Sequence, residues 1–152
     1  MKSDNKEELN GENGRNRLDS EKWFQSGLKY AKLGQPKEAT EHFEEAVWLD
    51  PDNDKIHFNL GTAYLSLGFF EQALINFSRA IDINPKMSDA YGNRAVAHAA
   101  LSEDELCEKD RLMAIEYGAP PDGLDAVIGY VKDNRNKNNL KESDKNEKRK
   151  IN

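Results

Sequence analysis

Between Ser20 and Val131 the apolar residues fall into short stripes of helical spacing, separated by polar turns. Trp23, Gly27, Tyr30 and Ala31 lie at i, i+4, i+7 and i+8, one face of a helix, and predict a first helix over 20–33. Ser20 is the expected N-cap. Leu33-Gly34-Gln35-Pro36 stops that helix, because Gly34 suits a left-handed C-cap and Pro36 the first turn of the next. A second helix follows over 36–49, with Ala39, Phe43 and Ala46 as its buried stripe. His42 and the glutamates 38, 41, 44 and 45 are assigned to its outer face. Asp50 precedes Pro51 and is pushed out of helical geometry.

The same plan returns with a 34-residue period. Gly61, Tyr64, Gly68, Ala73, Phe77, Ala80 and Pro85 repeat Gly27, Tyr30, Gly34, Ala39, Phe43, Ala46 and Pro51. Asp54 is the expected cap of the middle copy. A third, weaker copy opens at Ser88 and keeps Tyr91, Ala95, Ala114 and Ile115, but carries Arg94, His98, Cys107 and Arg111 where the pattern has other residues. Ser102 and Glu105 have the spacing of a capping box. Beyond Pro120-Pro121, the stripe Leu124, Val127, Ile128 and Val131 predicts a capping helix over 122–133 that covers the open end of the array, with Asp122 as its N-cap. Residues 1–19 and 134–152 are polar, without a stripe, and are expected to be disordered tails. The folded region is thus 20–131, in copies 20–53, 54–87 and 88–121.

Charge narrows the functional classes. The net charge is −6, but residues 20–131 carry −9 and residues 132–152 carry +4. An acidic body repels phosphate, so no nucleic-acid partner is expected. No apolar run spans a membrane, and no apolar leader stands at the N-terminus, so the expected location is the cytoplasm. The single cysteine, Cys107, cannot form an intramolecular disulfide and occupies a small-residue place, where an inert buried thiol is expected. His42, His57 and His98 have no metal-ligand spacing, and His57 and His98 are expected to fill aromatic packing places. No glycine-rich phosphate loop or catalytic constellation is present, so neither enzyme activity nor a cofactor is expected.

The two strong copies resemble the tetratricopeptide repeat, whose 34-residue period and Trp/Leu-Gly-Tyr…Ala…Phe…Ala…Pro pattern they follow. That resemblance implies an all-α fold of about seven helices, in antiparallel pairs stacked as a right-handed superhelix. It also implies a concave groove, lined by the first helix of each pair, that holds a peptide or helix of a partner protein. Transferred to this chain, the groove residues are Phe24 and Leu28 in the first copy, Phe58, Asn59, Thr62 and Leu65 in the second, and Asn93 and Val96 in the third. Asn59 and Asn93 recur at one place and offer a donor and an acceptor to a peptide backbone.

Some members of the family grip the terminal carboxylates of heat-shock chaperones with Lys, Asn and Arg at fixed places. Those places hold Phe24, Leu28, Asp89 and Asn93 here, and only Asn59 matches, so no such clamp is expected. The function implied is a monomeric interaction scaffold. The alternatives are a small chaperone for one secreted or assembly substrate, or a structural array that pairs as a homodimer through the edge around 124–131.

Overall fold

The computed structural model describes residues 4–150, with side chains over 16–141. Among the described residues there are seven α-helices and no strand, so the fold is all-α. They are α1 (Asp4–Lys32), α2 (Pro36–Leu49), α3 (Asp54–Leu67), α4 (Phe70–Ile83), α5 (Ser88–Ala100), α6 (Asp104–Glu116) and α7 (Pro121–Lys150). They form two compact units, Met1–Lys86 with α1 to α4 and Met87–Asn152 with α5 to α7.

In the first unit α1 pairs with α2, α3 pairs with α4, and α2 packs on α3. Glycine permits the close approach inside each hairpin. A Cβ on Gly27 would stand 2.5 Å from two ring carbons of Phe43, and one on Gly61 would stand 2.8 Å from two of Phe77. Phe43 and Phe77 are fully enclosed, and each contributes roughly 1.5–3 kcal/mol of burial. Around Phe43 lie Phe24, Ala39, Ala46, Ile56, Leu60 and Ala63, closed over by Leu28, Tyr30, Val47 and Tyr64.

The turns between paired helices share one geometry. Gly34 has φ +71°, its N–H donates to Ala31, and the Gln35 N–H donates to Tyr30. Gly68, at φ +77°, repeats this with Leu65 and Tyr64. This is a Schellman turn, which satisfies carbonyls that the helix end leaves open. In the third hairpin Ser102 takes the same place at φ +67°, with the Glu103 N–H donating to His98.

Ser102 is therefore the left-handed residue of a C-cap and not half of a capping box; Glu103 precedes α6, without a side-chain cap. Two other caps also differ from expectation. Ser20 lies inside α1, buried, and its hydroxyl donates to the Ala46 carbonyl at 2.9 Å. Asn53, one residue before Asp54, caps α3 by accepting from the Lys55 and Ile56 N–H groups. Asp54 instead accepts from Asn84 at 2.8 Å.

Both outer helices run further than the stripe spacing predicts. α1 starts at Asp4 and α7 continues to Lys150, where tails without structure were expected. Neither stretch contains a proline, and their Lys, Glu and Arg residues favour helix. Residues 1–3 and 151–152, which were assigned to those tails, lie outside the described residues.

In the second unit α5 pairs with α6, and α7 packs on α5. Leu124, Ile128 and Val131 enter a cluster with Ala95, Val96, Ala99 and Cys107, while Val127 stays about half exposed. α7 begins at Pro121, so Asp122 lies in its first turn. Ion pairs pin this helix at both ends of the contact. Arg111 pairs with Asp125, and Asp104 receives Lys132 at 3.0 Å and Arg135 at 3.1 Å. Arg111, which stands where the first two copies have phenylalanine, thus meets a carboxylate of the capping helix.

Candidate functional site

Three places inside each hairpin show how the copies differ. In the first, His42 stacks on Tyr30 with ring centroids 4.8 Å apart and meets the tilted Trp23 ring at 5.1 Å. His42 is thus half-buried between rings and not on the outer glutamate face. In the second, His57 is buried and polar-bonded, with Nδ1 3.2 Å from Asn76 Oδ1 and Nε2 2.9 Å from the Pro51 carbonyl. In the third, Asp110 is buried and holds Arg94 through two bonds of 2.6 and 2.8 Å. His98 faces Glu103 at 2.6 Å and Asp110 at 3.5 Å. The two histidines expected as aromatic fillers therefore sit in hydrogen-bonded networks. These groups hold the hairpins together.

An open concavity does lie on the α1–α3 side of the first unit. Its volume is about 330 Å³, and Ala31, Gly34, Pro36, Asn59, Thr62, Ala63 and Ser66 line it. The Asn59 amide donates to the Lys55 carbonyl at 2.8 Å, which fixes the side chain and leaves its carbonyl oxygen as an acceptor. The hydroxyls of Thr62 and Ser66 donate to the carbonyls of Phe58 and Thr62, both at 2.9 Å. The described lining is uncharged and mostly apolar, with Asn59, Thr62 and Ser66 as its polar side chains.

Of the sequence-assigned groove residues, Asn59 and Thr62 meet in this concavity. Phe24 is only 8% exposed and packs on Phe43 with centroids 5.8 Å apart. Leu28 is half-buried against the same cluster. Phe58 lies 6.0 Å from the Phe77 ring, and Leu65 is half-buried. Asn93 and Val96 belong to the second unit, where Val96 packs beside Leu124 and Val131 and Asn93 is engaged by a neighbour.

Two groups near these helices are electrostatically perturbed. Burial, aided by donation to Glu44, pushes the Tyr64 hydroxyl up to about 12. Burial also raises the Cys107 thiol, which keeps it protonated and unreactive. Among the described residues no group of His, Cys, Asp and Glu side chains could hold a metal ion, and no helix is long and apolar enough to cross a membrane.

Helical hairpins recurring every 34 residues, closed by a glycine against a phenylalanine, define a class of α-helical repeat proteins. Family models agree: the TPR repeat matches residues 27–68 and the tetratricopeptide repeat matches 54–87. The chain is a tetratricopeptide-repeat protein. No curated protein sequence matches it at a significant level.

Among solved structures it is similar to the first TPR of Spaghetti (RPAP3) bound to the HSP90 peptide SRMEEVD. That match has 24% identity and a TM-score of 0.71, covering 77% of this chain and 93% of the other. The Arabidopsis OM64 TPR domain matches with 24% identity and a TM-score of 0.68, covering 81% and 98%. The second TPR domain of human RPAP3, in complex with the HSP70 peptide SGPTIEEVD, matches with 18% identity and a TM-score of 0.68, covering 79% and 98%. At these identities the likeness is one of fold.

Proposed function

We propose that this chain is a protein-interaction module that holds an extended peptide of a partner against α1 and α3, with Asn59 and Thr62 at the centre of the contact. The observation that carries the reading is the concavity of about 330 Å³, where Asn59, Thr62 and Ser66 of α3 come together with Ala31 and Pro36. Asn59 is fixed by its own helix, so its acceptor is already ordered when a peptide N–H arrives. That preorganisation reduces the entropy lost on binding. Apolar peptide side chains would rest on Ala31, Pro36 and Ala63.

Similar folds bind chaperone tails ending in EEVD. None of the described lining residues is Lys or Arg, so terminal carboxylates have no charge-assisted partner among them. The module accordingly selects peptides uncharged at this point.

The reading is tested by selecting peptides from a displayed random library on the wild-type chain and retesting them on Asn59→Ala/Thr62→Val. A loss of about ten-fold or more, with unchanged circular dichroism, is expected for two lost hydrogen bonds. Equal binding by the double variant, or selection dominated by C-terminal acidic tails, would overturn it.

A further inference from the structure

The chain has two tryptophans, and both border one open pocket of about 540 Å³ on the α1–α2 hairpin. Asp19, Lys22, Glu45 and Leu49 complete its useful lining. Trp48 is 79% exposed and Trp23 39% exposed. Nothing in the hairpin requires an indole at position 48. The same place in the next two copies holds Asp82 and Glu116, both exposed. A tryptophan there leaves a large apolar face in water and contributes little to the core, which marks it as a contact residue.

Charge around the indoles is one-sided. Among the described residues lining the pocket the one cation, Lys22, is paired with Asp19 at 2.9 Å. Glu45 is ion-paired to no described residue, and neither are Glu41 and Glu38. These three carboxylates stand at i, i−4 and i−7 on α2, one stripe that leads up to Trp48. Indole faces attract cations, and best of all the planar guanidinium, which also bonds a carboxylate. The field repels nucleic-acid phosphate and anionic lipid surfaces.

From this pairing of indoles with uncompensated carboxylates, we infer that the α1–α2 pocket is a second docking site, for an arginine-bearing basic segment of a protein partner. A guanidinium lies on the Trp48 ring and donates to Glu45, its methylene stem rests on Leu49 and Trp23, and neighbouring basic residues follow the Glu41–Glu38 stripe. This site is separate from the uncharged Asn59 concavity and selects the opposite chemistry from an acidic chaperone tail.

The intact chain is titrated with a short arginine peptide spaced by alanines and with its glutamine-substituted counterpart. Both indoles lie at the pocket, so tryptophan emission reports this site, with calorimetry for variants that remove a ring. A saturable change is expected with the arginine peptide only, weakening as salt rises. Trp48→Ala and Glu45→Gln should each weaken it by about three- to thirty-fold. Asn59→Ala/Thr62→Val and the distant Ile75→Ala should bind as wild type. Equal response to the glutamine peptide, undiminished binding by both pocket variants, or an emission change that tracks self-association without added peptide would each overturn the inference. So would a response to tetramethylammonium as strong as to the arginine peptide, since that identifies a small-cation site.

Discussion

Replacing Gly27 by alanine tests the packing rule on which both hairpins of the first unit depend. The added Cβ would stand 2.5 Å from Cδ1 and Cε1 of Phe43 and 3.1 Å from Cγ. Carbon pairs rest at about 3.5–4.0 Å, so the helices must part by roughly 1 Å or the ring must move. The ring has little room: Phe43 is 1% exposed and Phe24 packs against it. Overpacking of this kind costs about 1–3 kcal/mol, and the large displacement argues for the upper end. Alanine returns about 1 kcal/mol of helix propensity, leaving a net loss of about 2 kcal/mol.

With a typical urea dependence of roughly 2 kcal/mol per M, that lowers the unfolding midpoint by about 1 M. Both tryptophans sit on α1 and α2, so their emission follows this hairpin directly. In a Phe43→Leu background the steric conflict disappears and the same substitution should stabilise, by about 1 kcal/mol. A coupling of about 3 kcal/mol lies far beyond the ~0.5 kcal/mol error of additive behaviour. Gly61→Ala, with its closest approach at 2.8 Å, should lose less. A Gly27→Ala midpoint at or above wild type, or simple additivity with Phe43→Leu, would refute the rule.

Ser102→Gly should stabilise the second unit by about 1 kcal/mol, since an L-residue in the left-handed region costs about 1–2 kcal/mol and glycine's added chain entropy offsets only part of it. Urea unfolding followed by far-ultraviolet circular dichroism checks this, and an unchanged or lower midpoint contradicts it. α7 should come loose in acid. Hydrogen bonds from Arg135 and Lys132 hold Asp104 below the usual carboxylate range, and one from Arg111 does so for Asp125. A depressed folded pKa contributes stability that is present above the unfolded carboxylate pKa of about 4 and lost as pH falls through the lower folded value. Cys107 lies in the cluster with Ile128 of α7, so its labelling by a disulfide reagent active in acid should accelerate below about pH 4 and much less in Asp104→Asn/Asp125→Asn.

Period and packing were legible because they depend on residue size at fixed offsets. The Gly27–Phe43 and Gly61–Phe77 contacts repeat with the register, so one copy explains the other. Caps were less legible. Ser20 and Ser88 donate to Ala46 and Ala114, each across 26 positions, and no local motif reveals a bond of that reach. The start of α1 was missed for a related reason: Ser20 resembles a cap, yet nothing before it stops a helix. On α7 the stripe identified Leu124, Ile128 and Val131, but Val127 turns outward because α5 covers only part of that face.

The third copy shows why agreement with a repeat is a poor guide to sites. Its departures look like decay, yet they are mutually satisfied. Asp110 replaces His42 and Asn76 at the place where Arg94 and His98 can reach it. Arg111 replaces phenylalanine where Asp125 of the capping helix waits, and Ala95 then fits where the other copies need glycine. Disagreement between copies that packing explains is structural. Disagreement that packing does not explain is where a contact surface is to be sought, and Trp48 is of that kind: the other copies place Asp82 and Glu116 there, and the exposed ring lines a pocket with Glu45, which pairs with no described residue. Asn59 illustrates the converse. It agrees with Asn93 in sequence, but Asn59 lines the α1–α3 concavity while Asn93 lies in the second unit, so repetition alone could not tell their surroundings apart.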